Sequence, residues 1–139
     1  MDITTVEEIY NSFYGSQDFY RRSYYKHLIY TEGIKEFQHR LNAYWLVEFI
    51  ISNLTKIFKI SKSVDDGFFI VKISVEDSNN TGIIEIYREG YVNNKYDEHI
   101  TVLKQNIHDI DLPKYDYKFY LIWSGIKPIQ YTLLLPSEY

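Results

Sequence analysis

Hydrophobic positions follow a helical period in the first part of the chain and a strand period in the second. Residues 4–8 (Thr-Thr-Val-Glu-Glu) contain two overlapping capping boxes, which predict a first helix that ends before Gly15. Thr31 predicts the start of a second helix, and the apolar residues between 34 and 41 keep its spacing. From 43 to 57 apolar residues cover most of the helical circumference. This third helix is therefore expected at the centre of the fold.

Beyond Gly67 the apolar residues alternate with polar ones, which indicates strands. The expected strands are Phe69–Val75, Gly82–Arg88, His99–Lys104, Tyr117–Trp123 and Ile129–Leu135. Short connections without crossover helices favour antiparallel pairing. The sequence therefore predicts a single α+β domain over residues 1–139. Its N-terminal helices, at about 4–57, pack on one face of a four- or five-stranded antiparallel sheet, at about 68–135.

The amino-acid composition is rich in aromatic residues and also reflects a codon bias of the gene. The chain has 15 Tyr, 8 Phe and 2 Trp, and these aromatic residues make up 18% of it. It also has 19 Ile but only one Ala, a bias that favours AT-rich codons and points to a phage, a plasmid or an AT-rich bacterium. The net charge of -4 gives no overall field that would attract nucleic acid or an anionic membrane.

Most familiar kinds of site are excluded by residue type or spacing. The absence of Cys excludes disulfides, thiol catalysis and Cys-ligated metals. The six Gly never cluster into a phosphate-binding loop, and the His residues do not occur at metal-binding spacing. The start of the chain lacks the features of a signal peptide, and the strongly apolar stretch at 43–51 contains Glu48. We therefore expect a cytoplasmic protein with no cofactor, no bound metal and no membrane contact.

The segment from Asp18 to His27 interleaves basic and aromatic residues and carries a local charge of +2. Its candidate partner-binding residues are Tyr20, Arg21, Arg22, Tyr24, Tyr25 and Lys26. Tyr and Arg are enriched at protein–protein hot spots, which favours a protein partner. The same mixture over residues 19–30 suits single-stranded nucleic acid or a nucleotide. A purely structural alternative is that the rings cover the core while the cations extend to the surface.

The best acid/base candidate is the run Asp97-Glu98-His99. Neighbouring residues of a strand point to opposite faces, so we do not expect Glu98 and His99 to converge. His108, Asp109 and Asp111 precede a proline and are expected to form a loop. A small enzyme that uses these residues is therefore an alternative to a binding protein.

Three groups of motifs together resemble a known family. Phe-Tyr-Gly-Ser at 13–16 precedes Tyr20-Arg21, and Leu-Ile-Tyr-Thr-Glu-Gly-Ile at 28–34 precedes Ala-Tyr-Trp-Leu at 43–46. Asp-Ile-Asp-Leu-Pro at 109–113 precedes Leu-Leu-Pro-Ser-Glu-Tyr at 134–139. This ordered set is similar to a small bacterial family of unknown function that is often found on plasmids and other mobile elements. The resemblance supports the boundaries of the domain and implies no activity.

The leading functional prediction is a non-catalytic protein-binding module of a bacterial or phage mobile element. An inhibitor of a host defence system, of the anti-CRISPR kind, is one concrete form of it. Nucleic acid binding and acid/base catalysis are the alternatives. We also predict that the terminal carboxylate and Glu138 pair with Arg21 or Arg22, which would explain why these motifs occur together.

Overall fold

The computed structural model describes residues 3–15, 17–64, 67–75, 80–123 and 130–139. The helices are α1 (Ile3–Ser12), α2 (Glu32–Arg40) and α3 (Trp45–Val64), and a short 3-10 helix covers Pro136–Glu138. The strands are β1 (Phe19–Tyr20), β2 (Leu28–Thr31), β3 (Phe68–Val75), β4 (Gly82–Val92), β5 (Lys95–Ile107), β6 (Asp116–Trp123) and β7 (Tyr131–Leu134). The turns expected at 65–66, 77–79 and 124–128, and Ile129 of the last expected strand, lie outside the described residues.

The three helices occur where the hydrophobic spacing predicts them, and α3 continues to Val64 rather than stopping near 57. The described strands form one sheet with the order β1-β2-β7-β6-β3-β4-β5. The α+β class is therefore confirmed, but the expected count of four or five strands is wrong, because this sheet has seven. The two additional strands, β1 and β2, have two and four residues, too few to show a period.

The expectation of a wholly antiparallel sheet is also wrong. Strand β2 pairs with β7 in parallel, with Leu28 opposite Tyr131 and Tyr30 opposite Leu133. The other described pairs are antiparallel. A parallel pair needs a long connection, and here residues 32–130 provide it. Short connections indicate antiparallel pairing only for strands that follow each other in the sequence, and β2 and β7 do not.

The helices and one face of the sheet share a single hydrophobic core. Phe69, Val71 and Ile73, at alternate positions of β3, are fully buried. In the same core, Phe37 of α2 meets Phe119 of β6 edge to face, with ring centroids 5.0 Å apart. The apolar face that alternation gives the sheet therefore packs against the apolar face that the helical period gives α2.

Asparagine and aspartate residues shape the turns between the long strands. Asn93 and Asn94 have φ angles of 52° and 65° and connect β4 to β5 in a two-residue hairpin. Asp109 and Asp111 also adopt positive φ, at 56° and 43°, as expected of loop-forming residues. These short polar side chains tolerate the left-handed region better than most.

A buried carboxylate closes the fold. Glu138 is 7% exposed and accepts hydrogen bonds from the Thr31 hydroxyl at 2.6 Å and from the backbone N–H of Gly33 at 3.1 Å. It also accepts one from the backbone N–H of Leu135 at 3.0 Å. Thr31 therefore does not cap α2 with its own side chain, and a carboxylate distant in sequence lies at the positive end of this helix.

Gly33 leaves the space that this carboxylate occupies. A Cβ at position 33 would lie 2.5 Å from Oε1 of Glu138 and 2.7 Å from Cδ1 of Leu135. Glu138 is not free to move away, because its hydrogen bonds hold it in place. The Tyr-Thr-Glu-Gly and Leu-Pro-Ser-Glu motifs therefore meet in one contact.

The predicted pairing of Glu138 with Arg21 or Arg22 is wrong. Arg22 forms its ion pair with Glu48, at 2.9 Å. Backbone N–H groups and a hydroxyl satisfy Glu138 at the start of α2. Uncharged donors can stabilise a buried carboxylate without a second buried charge, because each hydrogen bond to an ionised acceptor is strong.

We expect Glu138→Ala to lower the free energy of unfolding by on the order of 3 kcal/mol, because buried donors lose their acceptor. Urea denaturation followed by circular dichroism measures the change. Glu98→Ala, which removes an exposed carboxylate from β5, is the control and should change stability by less than about 0.5 kcal/mol. Equal effects of the two substitutions would contradict the role assigned to Glu138.

Candidate partner-binding site

The loop of residues 21–27 joins β1 to β2 and contains most of the predicted partner-binding residues. A turn inside it is closed by the backbone N–H of Tyr25, which donates to the carbonyl of Arg22 at 3.1 Å. Strands β1 and β2 pair antiparallel on either side, with Tyr20 opposite Tyr30. The sheet edge therefore fixes both ends of the loop.

Arg22 ties this loop to two helices. Its Nε donates to Glu48 of α3 at 2.9 Å, and its Nη1 donates to the Tyr30 hydroxyl at 3.0 Å. Its Nη2 donates to the side-chain oxygen of Gln38 on α2 at 2.7 Å and to the carbonyl of Tyr44 at 3.2 Å. The Arg22 side chain is only 17% exposed. The guanidinium is thus engaged inside the protein, and we treat Arg22 as a residue that positions the loop.

The charges of this network stabilise each other. Burial alone would lower the pKa of Arg22, but the interactions with Glu48 and Tyr30 outweigh it and raise that pKa. The hydroxyl of Tyr24 donates to the second carboxylate oxygen of Glu48. This bond and then the one from Arg22 lower the pKa of Glu48 below its ordinary value. The same bond from Tyr24 raises the pKa of the phenol.

Arg21 and Lys26 have a different environment. Both are exposed, and within the described part of the chain neither charged group has a hydrogen-bond or ion-pair partner. The ring of Tyr24 between them is 64% exposed, although its hydroxyl is bound to Glu48. The loop therefore presents cations that are not neutralised and one exposed ring.

Tyr20 and Tyr25 are half-buried and pack against neighbouring side chains. Tyr20 stacks on Tyr30 with ring centroids 6.1 Å apart, and the Nζ of Lys35 lies 4.3 Å from its ring centroid. The ring of Tyr25 meets His27 edge to face at 5.5 Å, and burial raises the pKa of Tyr25. One face of the predicted cluster is therefore packed against the protein, and the other is open to solvent.

Two adjoining depressions lie along this loop. The first, which we call the cationic groove, has a volume of about 440 Å³ and is lined by Arg21, Ser23, Tyr24, Tyr25, Lys26 and His27. The second, which we call the apolar pocket, has a volume of about 120 Å³ and is lined by Tyr25, His27, Leu54, Thr55, Phe58 and Tyr131. Tyr25 and His27 line both, so the two depressions lie side by side and share a wall.

Comparison with known proteins identifies a family for this chain. The model of a family of unknown function (DUF6876) matches residues 4–139. The chain belongs to this family. Neither a curated protein nor a solved structure matches it. The predicted resemblance to a family of unknown function is confirmed, and membership of this family assigns no activity to the chain.

The acid/base residues predicted from sequence do not form a common site. His99 and His108 are nine positions apart along β5 and just beyond it, which is about 30 Å at the spacing of a strand. The imidazole of His99 meets Glu85 of β4 at 2.8 Å and stacks on Tyr87, with centroids 3.8 Å apart. Asp97 accepts the backbone N–H of His99 at 2.9 Å. The contacts of the imidazole link β5 to β4, and the contact with Asp97 lies within β5.

Among the described residues, no group of three or more His, Cys, Asp or Glu side chains could hold a metal ion. None of the helices described is both long and apolar enough to cross a membrane.

Sequence reasoning found the loop but missed the apolar pocket. Leu54, Thr55 and Phe58 come from α3, and Tyr131 comes from β7. The hydroxyl of Tyr131 is satisfied by Ser61 at 2.7 Å, so this residue presents its ring to the pocket without an unpaired polar atom. The only signal in the sequence was the near-continuous apolar character of α3, which indicates burial and not a pocket.

The two neighbouring arginines should respond differently to truncation. We expect Arg22→Ala to lower the free energy of unfolding by on the order of 2–4 kcal/mol, because it leaves buried Tyr30 and Gln38 oxygens without their donor. Arg21→Ala is the matched control and should change stability by less than about 0.5 kcal/mol. Urea denaturation of both variants makes the comparison. Equal losses, or a larger loss for Arg21→Ala, would contradict the assignment.

The hydrogen bonds that Arg22 and Tyr24 make to Glu48 should stabilise the protein less in acid. The pKa of Glu48 is lower in the folded protein than its ordinary 4.5, so its contribution to stability is complete above that pH. It is lost as the pH falls through the lower folded value, when the carboxylate is protonated. Unfolding free energies measured from pH 6 to pH 3 should show that the difference between wild type and Glu48→Gln shrinks below pH 4.5. A constant difference over this range would contradict a stabilising role of the ionised Glu48 carboxylate.

Proposed function

We propose that this protein is a non-catalytic protein-binding module of a bacterial or phage mobile element, and that its partner docks on the loop of residues 21–27. The observation that carries the proposal is the contrast between adjacent arginines. Arg22 holds the loop through four hydrogen bonds, while Arg21 is left exposed. A loop that is already ordered loses little conformational freedom on binding, which favours affinity.

The chemistry of the loop supports a protein partner. Arg and Tyr are over-represented among the residues that dominate the binding energy of interfaces. The net charge of the whole chain is -4, so the cations of the loop form a local feature on an acidic protein. Such a local contrast orients an acidic partner without attracting polyanions in general. Inhibition of a host defence system is one form of this proposal, and the AT-rich coding bias and the acidic charge support it.

The test is a pull-down from the native host with wild type and Arg21→Ala/Lys26→Ala. We expect the double variant to retain less than about a tenth of the specifically bound partner, as for the loss of two hot-spot contacts. Lys72→Ala/Lys104→Ala removes two exposed cations from the sheet and is the matched control. It should retain the partner. Arg22 is left intact, because its loss would disturb the loop itself.

An unchanged set of partners for Arg21→Ala/Lys26→Ala would overturn the proposal. Loss of the partner with both double variants would indicate a general charge effect instead. Melting curves of all three proteins establish that the variants are folded.

Nucleic acid binding is the second candidate, because unpaired cations flank the exposed ring of Tyr24 in the cationic groove. Salt separates the two candidates. Binding to a single-stranded oligonucleotide should weaken steeply between about 50 and 200 mM salt, since released counterions drive it. An acidic protein partner that contacts only Arg21 and Lys26 releases no condensed counterions and should weaken much less over that range.

A further inference from the structure

The apolar pocket has the size and lining of a receptor for one side chain. Its volume of about 120 Å³ is slightly below the roughly 150 Å³ of an engineered apolar cavity that takes up benzene. Leu54 and Tyr131 are almost fully buried, while Thr55 is exposed at the opening. Because Ser61 already satisfies the hydroxyl of Tyr131, this part of the lining requires no polar group from a ligand.

Cations surround this pocket on two sides. Arg21 and Lys26 lie along the adjoining cationic groove. On α3, Lys59 is one turn beyond Thr55 and Lys62 is one turn beyond Phe58, so they share the side of the helix that faces the opening. From Thr55 to Lys62 the helix contains no carboxylate. Glu48, the acidic residue of α3, is occupied by Arg22 and Tyr24.

We propose that the apolar pocket and the cationic groove together bind an acidic peptide segment of a partner protein. One side chain of the size of Leu, Ile or Phe enters the apolar pocket, and flanking Asp or Glu residues contact Arg21 and Lys26. This inference rests on the proposed protein-binding function and specifies the chemistry of the partner. Charge complementarity and the shared wall of Tyr25 and His27 are its basis.

A peptide suits the site better than a nucleic acid strand. The rings that line the pocket, Tyr25, Phe58 and Tyr131, are half-buried or buried and so offer little open face for a base to stack on. Nucleic acid would also bring many phosphates to an acidic protein, and the chain has 19 carboxylate residues against 15 Lys and Arg. A single anchored side chain with two or three carboxylates matches the limited extent of the cationic groove.

The experiment is a selection of displayed random 12-residue peptides on the full-length protein, followed by binding of the enriched peptides with a fluorescent label. We expect enrichment of one aliphatic or aromatic residue next to Asp or Glu. Thr55→Trp places a large ring at the opening and should weaken binding at least tenfold. Ser52→Trp is the matched control, because it adds the same ring to α3 at a residue that lines a different depression, between this helix and the end of β5. It should bind like wild type.

Two further variants keep the inference open to refutation if Thr55→Trp disturbs α3. Phe58→Ala enlarges the pocket and should shift the selected anchor towards Phe or Trp. Arg21→Glu/Lys26→Glu should weaken the acidic peptides at least tenfold and accept peptides whose Glu residues are replaced by Lys. Enriched peptides without acidic residues, peptides insensitive to Thr55→Trp, or no enrichment would each overturn the inference.

The two proposals can fail separately. If the pull-down depends on Arg21 and Lys26 but the peptides ignore Thr55→Trp, the loop binds protein and the role of the pocket is wrong. If neither assay depends on these residues, both are wrong. Salt-sensitive binding of a labelled 12-nucleotide single strand, lost in Arg21→Glu/Lys26→Glu, would replace the peptide with nucleic acid.

Discussion

The carboxylate of Glu138 is the constraint on which the rest of the structure depends. It accepts hydrogen bonds from Thr31, Gly33 and Leu135 and so joins the end of β2, the start of α2 and the residues that follow β7. A carboxyl group that is 7% exposed is tolerable only when its oxygens are satisfied by hydrogen bonds, and here uncharged donors satisfy them. This contact fixes where α2 begins, and thereby the positions of Tyr30 before it and Gln38 within it.

The candidate site uses those positions. Tyr30 and Gln38 accept hydrogen bonds from Arg22, and Glu48 completes the set from α3. The loop of residues 21–27 is therefore held by polar contacts at a place where it has little hydrophobic core of its own. Arg22 is neutralised by Glu48, whereas Arg21 remains unpaired among the described residues. An acidic protein thus keeps a small cationic surface because one arginine orders the chain and its neighbour stays in solvent.

The sequence allowed the helices, the strands β3, β4 and β6 and the α+β class to be predicted, because long elements repeat their spacing several times. Strands β1 and β2 are too short for that. Strand β2 pairs in parallel with β7, and no local sequence pattern indicates that these two distant segments are neighbours. The interleaved loop was recognised, but the sequence offers no means to tell Arg21 from Arg22. The difference arises from Tyr30, Gln38 and Glu48, which belong to three other elements. The apolar pocket likewise combines side chains from three distant segments.

The parallel pairing of β2 with β7 has a consequence for how the protein is made. Thr31 and Glu138 are 107 positions apart, so their contact closes a loop that spans most of the chain. Contacts of such separation form late, since the entropy of loop closure opposes them until other parts have condensed. During synthesis, β2 keeps an unpaired edge and α2 an incomplete first turn until residues 131–138 have been added. Sheet edges in this state invite pairing with other chains. The rate at which the ribosome completes β7 thus limits how long the nascent protein is vulnerable to aggregation.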